Sequence, residues 1–460
     1  MRVESLRAAF EIVFIPRNKF KKHDFNSGWN PTSIPPHEQK YGFTRKRTVR
    51  MFSLTVFLML NGIFSGKNPI MVTRNHEAEG FAIGGCRMQM NLADMLSYAD
   101  IHDLGRIAHT YECQCNGHSK NELIQSILST ALRREIFEKH IQSLNQEDIR
   151  FLNSLLFDSR NAFSIEELIA RVQQSRFQKD ESSDWNPRDM VIKFKKLGWL
   201  FNGYSQQTKF LFHVPEDLKR KFSDALTNQF KQSLQISSEP TVYRDEQMLI
   251  VDDIFHFLTF LSGQPDIPLT TDGSMYKRQL QQLLDRLSVQ EEMVTKGTWR
   301  FGYGRLFKEY PNRFSFIYDY CYYRNLISEH GLTLRLTEEG KSRLTEGKKE
   351  NLTEVYKFWL RLYKNPIPNL PSMAGWIDRL GGQWVTMASL SDVLCKLVKP
   401  FYYDSSTSIV EQRILQMMMH LGLIRIGDDE VHGTVVQLTK LGSKVIQGTF
   451  VNEEDKVVLF

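Results

Sequence analysis

The chain has 460 residues, 41% hydrophobic and 24% charged, a composition that excludes collagen-like, low-complexity and membrane-embedded proteins and leaves room for about two to four globular domains. The formal charge of +6 is concentrated at one end: residues 1–88 hold 14 Lys and Arg against 6 Asp and Glu, leaving 45 against 47 for the remainder. A chain-wide attraction for nucleic acid is thereby excluded, and any such contact has to come from a local patch.

Residues 1–88 run from "KFKKHD" through the basic "RKRTVR" to the apolar "MFSLTVFLMLNGIF" at 51–64 without a sustained helical or strand period. An apolar run of 14 residues is too short to span a bilayer, and a signal peptide would place it at the extreme N-terminus. The segment is therefore expected to be disordered or a spurious extension, with Met88 or Met90 as the natural start, and a membrane-associating segment is the alternative. From Leu92 the pattern turns amphipathic. "LADMLSYADIHDLGRIAHTY" places Leu92, Leu96, Ile101, Leu104 and Ile107 near helical spacing, and Asn116-Gly117 turns the chain. Ser119 with Glu122 forms a capping box for "KNELIQSILSTAL". Two short helices joined by an extended link, ending in Ser-Lys-x-Glu-Leu-Ile, resemble the SAP and Rho-N-like nucleic-acid modules over about 92–132, within a small helical module at 89–140. A plain helical hairpin packed on the next domain is the alternative.

The segment 145–235 reads as a first winged-helix unit. Asn145 caps "QEDIRFLNSLLF", Ser164 and Glu167 box the start of "IEELIARVQQ", and "NPRDMVIKFKKLG" is a third helix stopping at Gly198. Two strand-like pieces hinged on Gly203-Tyr204-Ser205 follow, then a helix opened by Pro215. The pattern recurs in 245–365, where "RFSFIYDYCYYRNLISEHG" reads as one helix feeding "LTLRL", and in 375–450, where "SIVEQRILQMMMHLG" feeds "LIRIG" and "TVVQL". The fold class expected is mainly α with small β wings, an α+β chain of tandem winged-helix units.

Two of these units end in Leu-Thr-x-x-Gly: Leu336, Thr337 and Gly340, then Leu438, Thr439 and Gly442. The first carries Gly340-Lys341-Ser342, which imitates the end of a phosphate-binding loop. Such a loop needs a glycine where this chain has Arg335, and the helicase-like acidic string at Asp429-Glu430-Val431-His432 has no phosphates to serve without it. The simpler reading makes Thr337 and Thr439 helix N-caps. Gly340 and Gly442 then let the helix lie against the wing, which offsets about 1 kcal/mol of lost helix propensity.

"DDIFHFLTFLSGQPDIPLTTDGSMYKRQLQQLLDRL", with Leu269-Thr270, Asp272-Gly273 and Lys277-Arg278, and the later Leu336, Thr337, Gly340 and Trp359, resemble bacterial helicase-associated proteins that share a domain with the N-terminal part of XPB-type DNA helicases. The similarity covers about 250–450. It implies a winged-helix protein of DNA transactions, in transcription or repair, without an ATPase of its own.

The third helix of a winged helix commonly enters the major groove. Arg188, Lys193, Lys195 and Lys196 of the first unit are accordingly candidate DNA contacts, with Lys193 and Lys196 on one face. Lys277 and Arg278 join them. "GTWRFGYGRLFKEYPNRF" at 297–314 interleaves Arg300, Arg305, Lys308 and Arg313 with six aromatic rings, which suits phosphates and unstacked bases, or else an ordered loop with its rings turned inward. The third helix of the last unit, with Arg413 and Met417, Met418 and Met419, suits core or a protein groove.

Cys113-x-Cys115-x-x-His118 lacks a fourth zinc ligand at recognisable spacing, and five scattered cysteines predict a reducing, cytoplasmic setting without a disulfide framework. No nucleophile elbow, His-Glu-x-x-His or dinucleotide glycine motif occurs. The expected function is a non-enzymatic protein without metal or cofactor. It binds double-stranded DNA or docks onto a DNA helicase or transcription complex, with no membrane partner. A scaffold that uses its wings only for protein contacts is the alternative.

Overall fold

The structure, a computed structural model, describes residues 90–158, 160–177, 185–264, 266–294 and 304–449. Met88–Phe460 form one unit, and the expectations for 1–88 lie outside the described residues.

Four helices come first: Leu92–Tyr98, Ile101–Thr110, Lys120–Ala131 and Arg134–Gln142. The run from Leu92 breaks where a single helix was expected, because Asp100 leaves helical geometry and its carboxylate accepts the His102 N–H, starting a new helix. Leu96, Leu104, Ile107, Leu123 and Ile127 are buried. Tyr111 donates its hydroxyl to the Leu197 carbonyl (2.9 Å), and Phe137 and Phe222 pack around Trp199. These contacts dock the helical module on the unit that follows.

One plan is then used three times. In the first unit the helix Gln146–Leu156 precedes β1 (Ala162–Phe163), and the helices Ile165–Ser175 and Pro187–Lys196 lead into β2 (Phe201–Asn202) and β3 (Phe212–His213), with Glu216–Lys231 closing the unit. The antiparallel sheet has the order β1-β3-β2. The strand β4 (Val242–Arg244) lies between units. In the second unit the helix Leu249–Ser262, β5 (Ile267–Pro268), the helices Lys277–Leu284 and Asn312–Tyr323, and the hairpin β6 (Ile327–His330) and β7 (Thr333–Leu336) repeat the order, as β5-β7-β6. In the third, Leu370–Leu380, β8 (Val385–Thr386), Met387–Leu394 and a helical run through Ser406–Ser408, a π-helical stretch Ile409–Leu415 and Gln416–His420 lead into β9 (Ile424–Asp429) and β10 (Gly433–Leu438). Its sheet is β4-β9-β10-β8.

Each third helix is stopped by a left-handed residue: Gly198 (φ +66°), Asn325 (φ +55°) and Gly422 (φ +68°). Asparagine tolerates this geometry, which corrects the expectation of one helix through Gly331. The helix ends at Tyr323, Ile327–His330 is a strand, and Gly331 (φ +59°) turns the hairpin.

The Leu-Thr-x-x-Gly device is the same in both places. Thr337 Oγ1 accepts the Gly340 N–H (3.1 Å) and Thr439 Oγ1 accepts that of Gly442 (2.8 Å), opening the helices Glu338–Thr345 and Lys440–Gln447. Both glycines press on backbone. A Cβ at Gly340 would overlap the Leu326 carbonyl, and one at Gly442 the Leu423 carbonyl. Those carbonyls also accept the N–H groups of Thr337 (3.2 Å) and Thr439 (2.9 Å), so helix and hairpin are joined at a single point.

The third helices of the last two units are turned inward. Residues 313–321 of one are all buried, as are Met417, Met418, Met419 and His420 of the other. A charged cluster lies between them. Arg313, wholly buried, reaches Glu246 through Nε (3.1 Å) and Asp253 through Nη1 (2.6 Å). His420 Nδ1 lies 3.0 Å from Glu246, and Arg244 caps the same carboxylate at 2.6 Å. Burial by itself would raise the Glu246 carboxyl, but His420, Arg313 and Arg244 outweigh it and hold it at about 2. The third unit also meets the first, where Trp376 donates its indole N–H to Asn153 (2.7 Å) and lies edge-on to Phe157. No helix among the described residues is long and apolar enough to cross a membrane.

Candidate nucleic-acid interface

The helix Pro187–Lys196 starts at Asn186, whose side chain accepts the Arg188 N–H (3.0 Å), with proline at its first position. Val191 and Phe194 are its buried residues, and the Phe194 ring meets Phe151 and Trp199 edge-on. The opposite face is open: Arg188, Asp189, Ile192, Lys193 and Lys196 are exposed, Ile192 at 46%. Three lysines in the last turn complement the negative end of the helix.

These cations are not equivalent. Lys193 lies 2.6 Å from the buried carboxylate of Asp148, which sits in the capping box of Gln146–Leu156. Its charge is therefore engaged inside the unit, which corrects the picture of Lys193 and Lys196 as an equivalent surface pair. Lys195 leans onto the β2–β3 hairpin, donating to Asn202 (2.8 Å) near the Phe212 ring. Arg188 and Lys196 stand outward. At the tip of the β2–β3 hairpin, Phe210 is 74% exposed with Lys209 Nζ 5.0 Å from its ring centre, and Tyr204 stacks on Tyr98 at 4.8 Å. The hinge expected at Gly203-Tyr204-Ser205 falls at this tip, between strands of two residues each.

Elsewhere the candidates separate. Lys277 and Arg278 are exposed at the start of the helix Lys277–Leu284. Arg300 lies outside the described residues. Lys308 is exposed. Arg305 is drawn into the fold: its guanidinium donates to Glu329 (2.9 Å) and lies 3.9 Å from the centre of the Tyr322 ring. Arg313, Tyr310 and Phe314 are wholly buried. For the described part of the aromatic-basic stretch, the reading as an ordered loop with inward rings therefore holds, and Arg305 is corrected to a structural cation.

Behind Arg305 lies Asp319, wholly buried, with Oδ2 accepting the Arg305 N–H (2.9 Å). Burial raises its carboxyl, the Arg305 backbone and guanidinium pull it back, and it stands at about 6. A carboxyl raised in the folded state contributes stability fully below its ordinary value of 3.8 and loses it as pH rises through about 6. Asp319→Asn is expected to stabilise the protein by about 3 kcal/mol at neutral pH and by nothing near pH 3. Urea unfolding at both pH values checks it. Equal stability of the two proteins at neutral pH would remove Asp319 from the titration.

Cys113 and Cys115 are half-buried against the core, and no three His, Cys, Asp or Glu side chains among the described residues are grouped to hold a metal. No protein-family profile, curated protein or solved structure matches the chain.

Proposed function

We propose that the chain is a non-enzymatic, cytoplasmic, tandem winged-helix protein of DNA transactions, related to the helicase-associated proteins it resembles, and that its first unit binds double-stranded DNA. The observation that carries this reading is the contrast among the three third helices. Those of the second and third units are buried, whereas Pro187–Lys196 presents Arg188, Ile192 and Lys196 to solvent beside an exposed wing. Three helices with a sheet in the order first, third, second strand support the winged-helix assignment of each unit. An outward helix with cations at its open face is what groove entry needs.

The inward helices of the other two units support a second role, as a rigid body that a DNA helicase or transcription complex can hold. A scaffold without nucleic-acid contact remains the competing reading, and salt separates the two. Neutralised phosphates release counterions, so affinity for duplex DNA falls as salt rises. Arg188→Glu with Lys196→Glu, which leaves the Lys193–Asp148 pair intact, is expected to weaken duplex binding and reduce the salt slope by about two units. Stability should stay within about 0.5 kcal/mol. Equal slopes for the folded variant and the wild type would favour the scaffold.

A further inference from the structure

Between the second helix of the third unit and its π-helical segment, the chain makes a tight excursion at Phe401-Tyr402-Tyr403-Asp404. Phe401 and Asp404 exchange backbone hydrogen bonds in both directions (3.1 and 3.0 Å). Tyr402 and Tyr403 at the tip are each 82% exposed. Tyr402 is held at φ +50° and is the only aromatic residue in the left-handed region among the described residues, a conformation unfavourable for a bulky side chain. It persists because the base of the turn is fixed from below. Asp404 is buried and accepts from Arg413 Nε (3.0 Å), Ser406 donates to the Val398 carbonyl (2.7 Å), and Asn369 donates to that of Leu397 (2.9 Å). The Phe401 ring, edge-on to Tyr402 at 4.6 Å, braces the tip.

Two lysines stand out on the chain that leads into the turn. Lys396 and Lys399 are exposed, the acidic residue within the turn, Asp404, is buried against Arg413, and Asp392 and Glu411 bound the stretch on either side. Two exposed rings on a strained turn, with two exposed lysines in the six residues before it, match the chemistry of an unstacked strand, with bases stacking on rings and phosphates drawn to the cations. Backbone strain kept at an exposed aromatic tip points the same way.

We propose that the Tyr402–Tyr403 turn, with Lys396 and Lys399, binds the unpaired bases of single-stranded DNA. This site rests on the reading of the chain as a DNA-binding protein but uses none of the residues of the helix Pro187–Lys196. The two surfaces can therefore fail separately.

The experiment uses the full chain, a labelled oligothymidylate of about 16 nucleotides and a labelled duplex, with binding followed by fluorescence anisotropy. Tyr402→Gly with Tyr403→Ala removes both rings and puts glycine where φ is positive, so the turn should keep its shape. Its thermal midpoint is expected to match the wild type. Strand affinity should drop about ten-fold for each ring lost, with duplex affinity unchanged, and Tyr402→Phe with Tyr403→Phe should restore strand binding. Arg188→Glu with Lys196→Glu should show the reverse pattern, and duplex loss without strand loss would leave this site standing. The proposal is overturned if the wild type fails to bind the oligothymidylate, or if the ring-less variant binds it as tightly as the wild type, as a turn that docks a protein would.

Discussion

Arg313→Met is expected to destabilise the protein by about 3–5 kcal/mol, because it leaves the Glu246 and Asp253 carboxylates buried without their shared cation. Urea unfolding measures it. Pairing the change with Glu246→Gln should recover part of the loss, since a neutral amide tolerates burial that a carboxylate does not. Acid adds a second readout. A carboxyl depressed from 4.5 to about 2 contributes stability that is complete above its ordinary value and disappears as pH falls toward the folded one. The wild type should lose on the order of 3 kcal/mol across that interval from this group, and Arg313→Met should lose less, because part of what depresses Glu246 is gone. A variant as stable as the wild type, with the same acid profile, would show that the cluster does not hold the two inward helices.

The second large effect is expected at the two glycines. Gly340→Val and Gly442→Val should each cost about 3 kcal/mol, since the added carbon overlaps a backbone carbonyl that no rotamer change can move. The alanine variants are more discriminating. Alanine improves helix propensity by about 1 kcal/mol over glycine, so a site with room would be stabilised, whereas Gly340→Ala and Gly442→Ala should destabilise. Lys341→Ala, at an exposed lysine paired only with Glu338 one turn earlier, should stay within about 0.5 kcal/mol. Alanine variants more stable than the wild type would refute the close contact with the hairpin.

What the sequence made legible was local. Thr337 and Thr439 were readable as caps because the cap and its recipient N–H are three residues apart, and Gly340 and Gly442 because propensity alone argues against glycine inside a helix. The helix Pro187–Lys196 was legible from its proline-opened start and its stop at Gly198. Misread features depend on distant partners or on a single permissive residue. Lys193 looked like a surface cation because Asp148 lies 45 positions away. Arg313 looked like part of a basic patch because Glu246, 67 positions away, gives no signal in the stretch around it. Asn325 ended a helix that hydrophobic spacing continued, since left-handed asparagine is cheap enough to be common and not distinctive enough to be foreseen. Tyr402 and Tyr403 gave no warning, because exposure at a turn depends on how the segments beneath it are tied.

The strand β4, which precedes the second unit in the chain, completes the sheet of the third: Val242, Tyr243 and Arg244 pair with Asp428, Gly427 and Ile426. Just upstream, the Ser237 N–H donates to the Trp384 carbonyl and the Thr386 N–H to that of Gln235. The second unit is thus an insertion between two parts of one sheet. During synthesis, residues 235–244 leave the ribosome early and wait for partners until the whole second unit has followed. Through that interval they form an unpaired edge, open to another chain. Cutting the gene between the second and third units would make the exposure permanent, so neither half is expected to behave as an independent soluble fragment.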